Sequence, residues 1–192
     1  RNFSARNHFQ RRTSELGDLV RHFSAGLKVG EISANSTNIS SISASSAISI
    51  AKNPKVKTDV NALRHVFFSA KMTKELGNDI ATEFGNAHEG IEHEKVEVLY
   101  NETFEGDLAT ADSTVDLLNN IIGREIGNKN PEANNSELMT EVLKSFKNDG
   151  FYTITKNNND KYSISKLKIT QEQYNESIKI LERLNQYGEE FK

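Results

Sequence analysis

The sequence predicts a mainly α domain. Its compact helical body carries one β-hairpin near the C-terminus, and a helical arm precedes it. Three observations carry this expectation. Apolar residues recur at three- and four-residue spacing over most of the chain, the period of an amphipathic helix. Two short alternating runs, 151–156 and 161–166, are joined by the polar link Asn157–Asp160, a hairpin signature. The chain has 192 residues, 35% of them hydrophobic and 27% charged, with mean hydropathy −0.62. That is polar, yet long enough to bury a core without staples.

In chain order, residues 1–30 hold six basic and two acidic residues, a balance of +4 that leaves −7 for the remainder of a chain whose net charge is −3. This basic stretch carries Leu16, Leu19, Val20, Phe23 and Leu27 at helical spacing, with Thr13 or Ser14 as cap and Gly26 or Gly30 as stop. Residues 33–51 are uncharged and rich in Ser, Ala, Asn and Ile, and read as a linker; close packing of a small-residue segment is the alternative. The expected division is therefore a basic helical arm with a Ser-rich linker over 1–53 and a helical body over 54–192.

Within the body, Thr58 or Asp59 caps a helix that Gly77 stops near Leu76. A second helix follows Asn78, with Ile80, Phe84 and Ala87 on one face. Residues 95–110 read as acidic and irregular. Asp112 or Ser113 starts a third helix, striped by Val115, Leu118, Ile122 and Ile126. After a loop over 128–135, Ser136 starts a fourth helix with Leu138, Val142, Leu143 and Phe146 inward. The hairpin comes next. Thr170 and Gln173 then form a capping box for a last helix that buries Tyr174, Ile178, Leu181 and Leu184 and ends at Gly188.

Composition excludes several functions. The chain has no Cys, which removes disulfides, a thiolate nucleophile and Cys-ligated zinc. No apolar run approaches the roughly 20 residues of a membrane-spanning helix, and no stretch reads as a signal peptide. The net acidity argues against nucleic acid as the partner. Neither a G-x-S-x-G elbow nor a phosphate-binding P-loop is present.

The candidate chemistry lies in the body. A helix pair turning at Gly77-Asn78 brings His65 and His88 to matching height, since each sits about a dozen residues from the turn. His88 follows Phe84 by four residues and Ile80 by eight, which predicts an inward position; Glu89 adjoins it. His8 and His22 read as surface residues. His93, five residues from His88, points away from it and reads as solvated. On the third helix, Asp116, Asn120 and Arg124 repeat every four residues beside Asn119, Gly123 and Gly127. Adjacent asparagines are poor choices for an exposed helix centre, and the glycines leave room for another backbone. This predicts a polar face packed against a second polar cluster.

The segments Asn61-Ala-Leu-Arg64-His65, Ala87-His88-Glu89 and Asp116-Leu-Leu-Asn119-Asn120-x-x-Gly123-Arg124 resemble a poorly characterised family of bacterial domains. Those domains read N-A-x-R-H, A-H-E and D-x-x-N-N-x-x-G-R in that order. They are associated with secreted polymorphic-toxin-like proteins and also stand alone. The similarity covers about residues 55–155. Leu118 stands where the family often has His, which removes one ligand, and Phe67-Phe68 follows the first motif. The resemblance implies a helical fold with a polar centre, guessed to be a hydrolase.

Together these readings give an expected function. The chain is a secreted or delivered bacterial effector, or otherwise a cytoplasmic protein, that hydrolyses a phosphodiester, a phospholipid or a cell-envelope component. His65, His88, Glu89 and Asp116 are the candidate catalytic residues. His65, His88 and Asp116 are candidate ligands for a divalent metal such as zinc. Arg64, Asn119, Asn120 and Arg124 are candidates for holding an anionic substrate. A cognate immunity protein or a carrier protein is the expected partner. The alternative is a non-catalytic interaction module whose polar centre only fixes the helices.

Overall fold

The computed structural model describes residues 21–22, 24–30, 37–90, 104–105, 107–157 and 161–191. It is mainly α with an antiparallel hairpin near the C-terminus. The elements are α1 (Ile39–Ala51), α2 (Val60–Leu76), α3 (Asn78–Glu89), β1 (Phe104–Glu105), α4 (Leu108–Lys129), α5 (Asn135–Asn148), β2 (Phe151–Lys156), β3 (Lys161–Leu167) and α6 (Gln171–Leu181). A helical turn over 24–29 precedes them. No described helix is long and apolar enough to cross a membrane.

Local chemistry sets the helix ends. The Asp59 carboxylate accepts from Ala62 N at 3.0 Å and starts α2. Gly77, at φ +89°, ends α2 and opens α3 in one residue, a conformation that excludes a side chain at little cost only for glycine. Asn134 and Glu137 form a capping box on α5, and Thr170 and Gln173 form another on α6. In the sheet, β3 lies between β1 and β2, both antiparallel to it; Ile154 faces Ile164 and Phe104 pairs with Tyr162.

α2 runs through the centre. Leu63, Val66, Phe67 and Ala70 on it are fully buried against Ile50 of α1, Leu138, Val142 and Phe146 of α5, and Ile180 of α6. Phe146 stacks on Phe151 at 4.2 Å between ring centroids, which ties the first residue of β2 into this core. α2 packs most extensively on α4. A Cβ on Gly123 would strike the Val66 carbonyl, and one on Gly127 the Ala70 carbonyl. Only glycine permits this backbone approach.

The structure corrects several expectations. The segment read as a linker forms α1 from Ile39 onward, capped by Asn38, whose side chain accepts from Ser41 N at 2.8 Å. Ser43, Ser46 and Ala47 are buried with the isoleucines, so small hydroxyls pack where larger groups would not fit. α4 starts at Leu108, a turn earlier than expected, because Asp107 accepts from Thr110 N at 2.9 Å and caps it. β1 falls in the stretch read as irregular. In the arm, Leu27 is 40% exposed, while Ala25 and Val29 are buried instead. α6 ends at Leu181, earlier than expected, and a turn carries the chain to Gly188. Leu16, Leu19, Val20, Phe23 and His93 lie outside the described residues.

One prediction follows from the α2–α4 contact. Gly123→Ala should lower stability by about 1–3 kcal/mol through overpacking, measured by urea unfolding. Gly90→Ala, where a Cβ would meet nothing, should show only the smaller penalty of its left-handed backbone.

Candidate functional site

Three helices build a polar centre. α2 presents Asn61, His65 and Ser69, spaced by four and thus on one face. α4 presents Asp116, Asn119, Asn120 and Arg124, all buried. α3 lies against both and brings Glu89, half-buried at its last turn, to the same place.

His65 is the hub, at 6% exposure. Its Nδ1 lies 3.3 Å from Asn120 Oδ1, which also accepts from Ser69 Oγ at 2.8 Å. A carboxamide oxygen can only accept, so Nδ1 carries the proton. The Nε2 lone pair then faces the centre. There it meets Asp116 Oδ2 at 3.2 Å and accepts from Arg64 Nη2 at 2.8 Å. Asn61 bridges the groups: its Nδ2 donates to Asp116 Oδ1 at 2.8 Å, and its Oδ1 accepts from Arg64 Nη2 at 2.8 Å.

The electrostatics follow from burial. Removal from water, then the Arg64 charge, pushes His65 down to about 4. Burial, then Glu89 and Asp112, pushes Asp116 up to about 8, against the opposing pull of Arg64 and Asn61. Burial raises Glu89 as well, and Asp112 adds to it. At neutral pH the 3.2 Å His65–Asp116 approach therefore brings together two neutral groups, with the one Nε2 lone pair taken by Arg64.

One ligand atom each from His65, Glu89 and Asp116 lie within 4.8 Å of one another. This donor set, one imidazole nitrogen and two carboxylates, fits a borderline divalent cation such as zinc. The Asn120–Ser69 support behind Nδ1 is the outer-shell arrangement that orients a ligating histidine. Arg64 holds the Nε2 side of this cluster and is exposed enough to swing away.

His65 also lines a cavity of about 300 Å³ with Arg64, His88, Phe68, Phe84 and Val29. A larger cavity of about 380 Å³, lined by Ser46, Asn134, Leu181 and Gln186, contains none of the polar centre's residues; the chemistry points to the smaller one.

The sequence-based candidates divide as follows. His65, Glu89 and Asp116 come together. His88 shares the cavity with His65 but is exposed, not inward, because Gly85 and Glu89 occupy the face of α3 that meets α4. It is absent from the ligand cluster. Arg64 lies at the cavity beside His65. Asn119 spends both ends of its amide on the backbone of Tyr152, at 3.0 and 2.9 Å, and so anchors β2 to α4. Asn120 orients His65. Arg124 is buried beneath α3, and burial lowers its basicity. Sequence reasoning passed over Asn61 and Ser69 as site residues, although their four-residue spacing around His65 marks them. His22 pairs with Glu83 at 2.6 Å on the surface.

The proton holdings predict a pH response in the metal-stripped protein. Asp116 keeps its proton to about pH 8 in the fold, whereas an unfolded Asp loses it near 3.8. The unfolded chain therefore binds fewer protons across that interval, and stability falls as pH rises. His65 acts in the opposite sense between about 4 and 6.5, so Asp116 dominates from 6.5 to 8. Thermal melting should show wild-type stability declining across that window. Asp116→Asn, whose Oδ1 can still accept from Asn61, should remove this decline and be more stable at pH 8 by about 1–3 kcal/mol.

Comparison with curated proteins and with solved structures returned no significant match. A family match spans residues 21–150, which takes in α1 through α5, the polar centre and the helical turn at 24–29. It therefore reaches across the expected boundary at 53/54. The chain belongs to the family described as Domain of unknown function (DUF6973).

Proposed function

We propose that this chain is a metal-dependent hydrolase that acts as a secreted bacterial effector or toxin domain. Its substrate is anionic, of the phosphodiester or phospholipid kind, or a cell-envelope component. The reading is carried by one observation: the ligand atoms of His65, Glu89 and Asp116 converge within 4.8 Å while Asn120 fixes the imidazole tautomer.

A divalent cation held there would supply Lewis-acid activation of water near neutral pH. The chain's own residues do the rest. Asn120 and Ser69 hold the His65 ring so that Nε2 faces the cluster. Arg64, at the cavity wall, offers a guanidinium to an anionic group. His88, exposed on the same cavity, serves as proton donor to a leaving group. Phe68 and Phe84 give the cavity an apolar side that excludes water from the bond under attack. A cognate immunity protein, or a carrier protein, is the partner this role calls for.

A second reading has its own support. Asn119 and Asn61 are wholly engaged in hydrogen bonds within the fold, as in a network that only fixes helices and sheet. In that reading the chain is a non-catalytic interaction module.

Zinc separates the two. At a hundredfold excess over its dissociation constant it should raise the wild-type Tm by roughly 5–10 °C and leave Glu89→Gln unmoved. Expression in a bacterial host, directed to the cytoplasm or to the periplasm, should arrest growth in one compartment, and Glu89→Gln should relieve the arrest. Normal growth in both, with folded protein and no zinc response, would leave the interaction module standing.

A further inference from the structure

We propose that Arg124, Asn120 and the bare face of Gly85 form an oxyanion subsite next to the His65–Glu89–Asp116 cluster. It receives a phosphate, sulfate or carboxylate group of the substrate. That the occupant belongs to a substrate rests on the hydrolase reading; the existence of the subsite does not.

The first observation is a charge without a counterpart. Arg124 is 6% exposed, and its Nη1 is buried with no hydrogen-bond partner. No carboxylate pairs with it among the described residues. A guanidinium cannot shed its proton in a protein, and burying one without an opposite charge is strongly unfavourable. Such a group calls for an anion.

The second observation is a shaped space. A Cβ built on Gly85 would sit 3.4 Å from Asn120 Nδ2 and 3.8 Å from Arg124 Nη1. Two unpaired donors thus border the small space left by the missing Gly85 side chain. Asn120 Oδ1 is already committed to His65 and Ser69, while Nδ2 makes no hydrogen bond among the described residues. Donors from a guanidinium and a carboxamide converging on one point suit an oxyanion and no cation.

Position gives the subsite its meaning. Asn120 and Arg124 lie one and two turns along α4 from Asp116, about 6 and 12 Å of axial rise. A substrate can therefore rest an oxyanion here while a second group reaches the metal-ligand cluster. The Asn120 amide touches both ends, its oxygen holding His65 and its nitrogen facing the anion.

One internal alternative competes. Asn86 Oδ1, the next residue on α3, is also buried without a partner, and a side-chain rotation that paired it with Arg124 would leave nothing for an anion to do.

Thermal melting of the metal-stripped full chain, with the chelator removed, tests this. Inorganic phosphate at about 20 mM is compared with chloride at matched ionic strength. A site of about 1 mM affinity should raise the wild-type Tm by roughly 4 °C. Gly85→Ala should lose that shift. Its Cβ meets only ordinary contacts and improves helix propensity, so the fold holds. Arg124→Met should lose it too. Absence of a phosphate-specific rise overturns the proposal, as does an equal rise in both variants. Zinc melting of the wild type is the separate readout for the metal centre. Phosphate stabilisation without a zinc response keeps the subsite and removes the hydrolase; zinc without phosphate does the reverse.

Discussion

The backbone contact between α2 and α4 is the constraint on which the rest depends. Gly123 and Gly127 let α4 settle against the Val66 and Ala70 carbonyls of α2. At that separation the short side chains one and two turns earlier on α4 span the gap. Asn120 reaches His65 and Ser69, and Asp116 reaches Asn61 and His65. Longer residues at 123 and 127 would part the helices, and an asparagine could no longer bridge them. The same contact creates the groove that α3 covers, with Gly85 over Asn120 and Arg124 and, one turn on, Glu89 beside Asp116.

Within that frame, two adjacent asparagines have different duties. Successive residues on a helix point about 100° apart. Asn119 accordingly faces the sheet and Asn120 faces α2. Asn119 satisfies the Tyr152 backbone at both ends of its amide and couples the hairpin to the helices. Asp59 adds a second tie, since one carboxylate oxygen caps α2 and the other accepts from Thr153 Oγ1 at 2.9 Å. The sheet is thereby locked to the helices that carry the site, so His65 is oriented by a rigid scaffold.

The parts of this fold legible in the sequence are those with a local cause. The Asp59 cap, the Gly77 stop, the Thr170 capping box and the alternating hairpin are all set by near neighbours. α1 was hidden for a physical reason. Its serines and alanines are buried on the strength of size, not apolarity, so no hydrophobic stripe separates Ser43 and Ser46 from an exposed serine. β1 is two residues long and exists only through its pairing with β3. At the site, the three motifs announced that α2, α3 and α4 meet. They did not say how α3 is rotated. The four-residue spacing from Phe84 pointed to His88 as the inward group, whereas α3 lays Gly85 on Asn120, which turns Glu89 inward and His88 out.

The buried charges of α4 bear on what the centre is for. A network that only fixes helices is served well by amides, which satisfy donors and acceptors without an ionisation cost, as Asn61 and Asn119 do here. Asp116 and Arg124 are different. An acid and a base stand on one face of one helix, yet two turns keep them about 12 Å apart along its axis, too far to form an ion pair. Asp116 is driven to hold its proton, and Arg124 Nη1 is left unpaired. Each therefore costs stability that an amide or methionine at the same position would not. The two costs would be met by different ligands, a cation at the carboxylates and an anion at the guanidinium. A molecule that supplied both along α4 would turn the strained centre of this fold into its binding site.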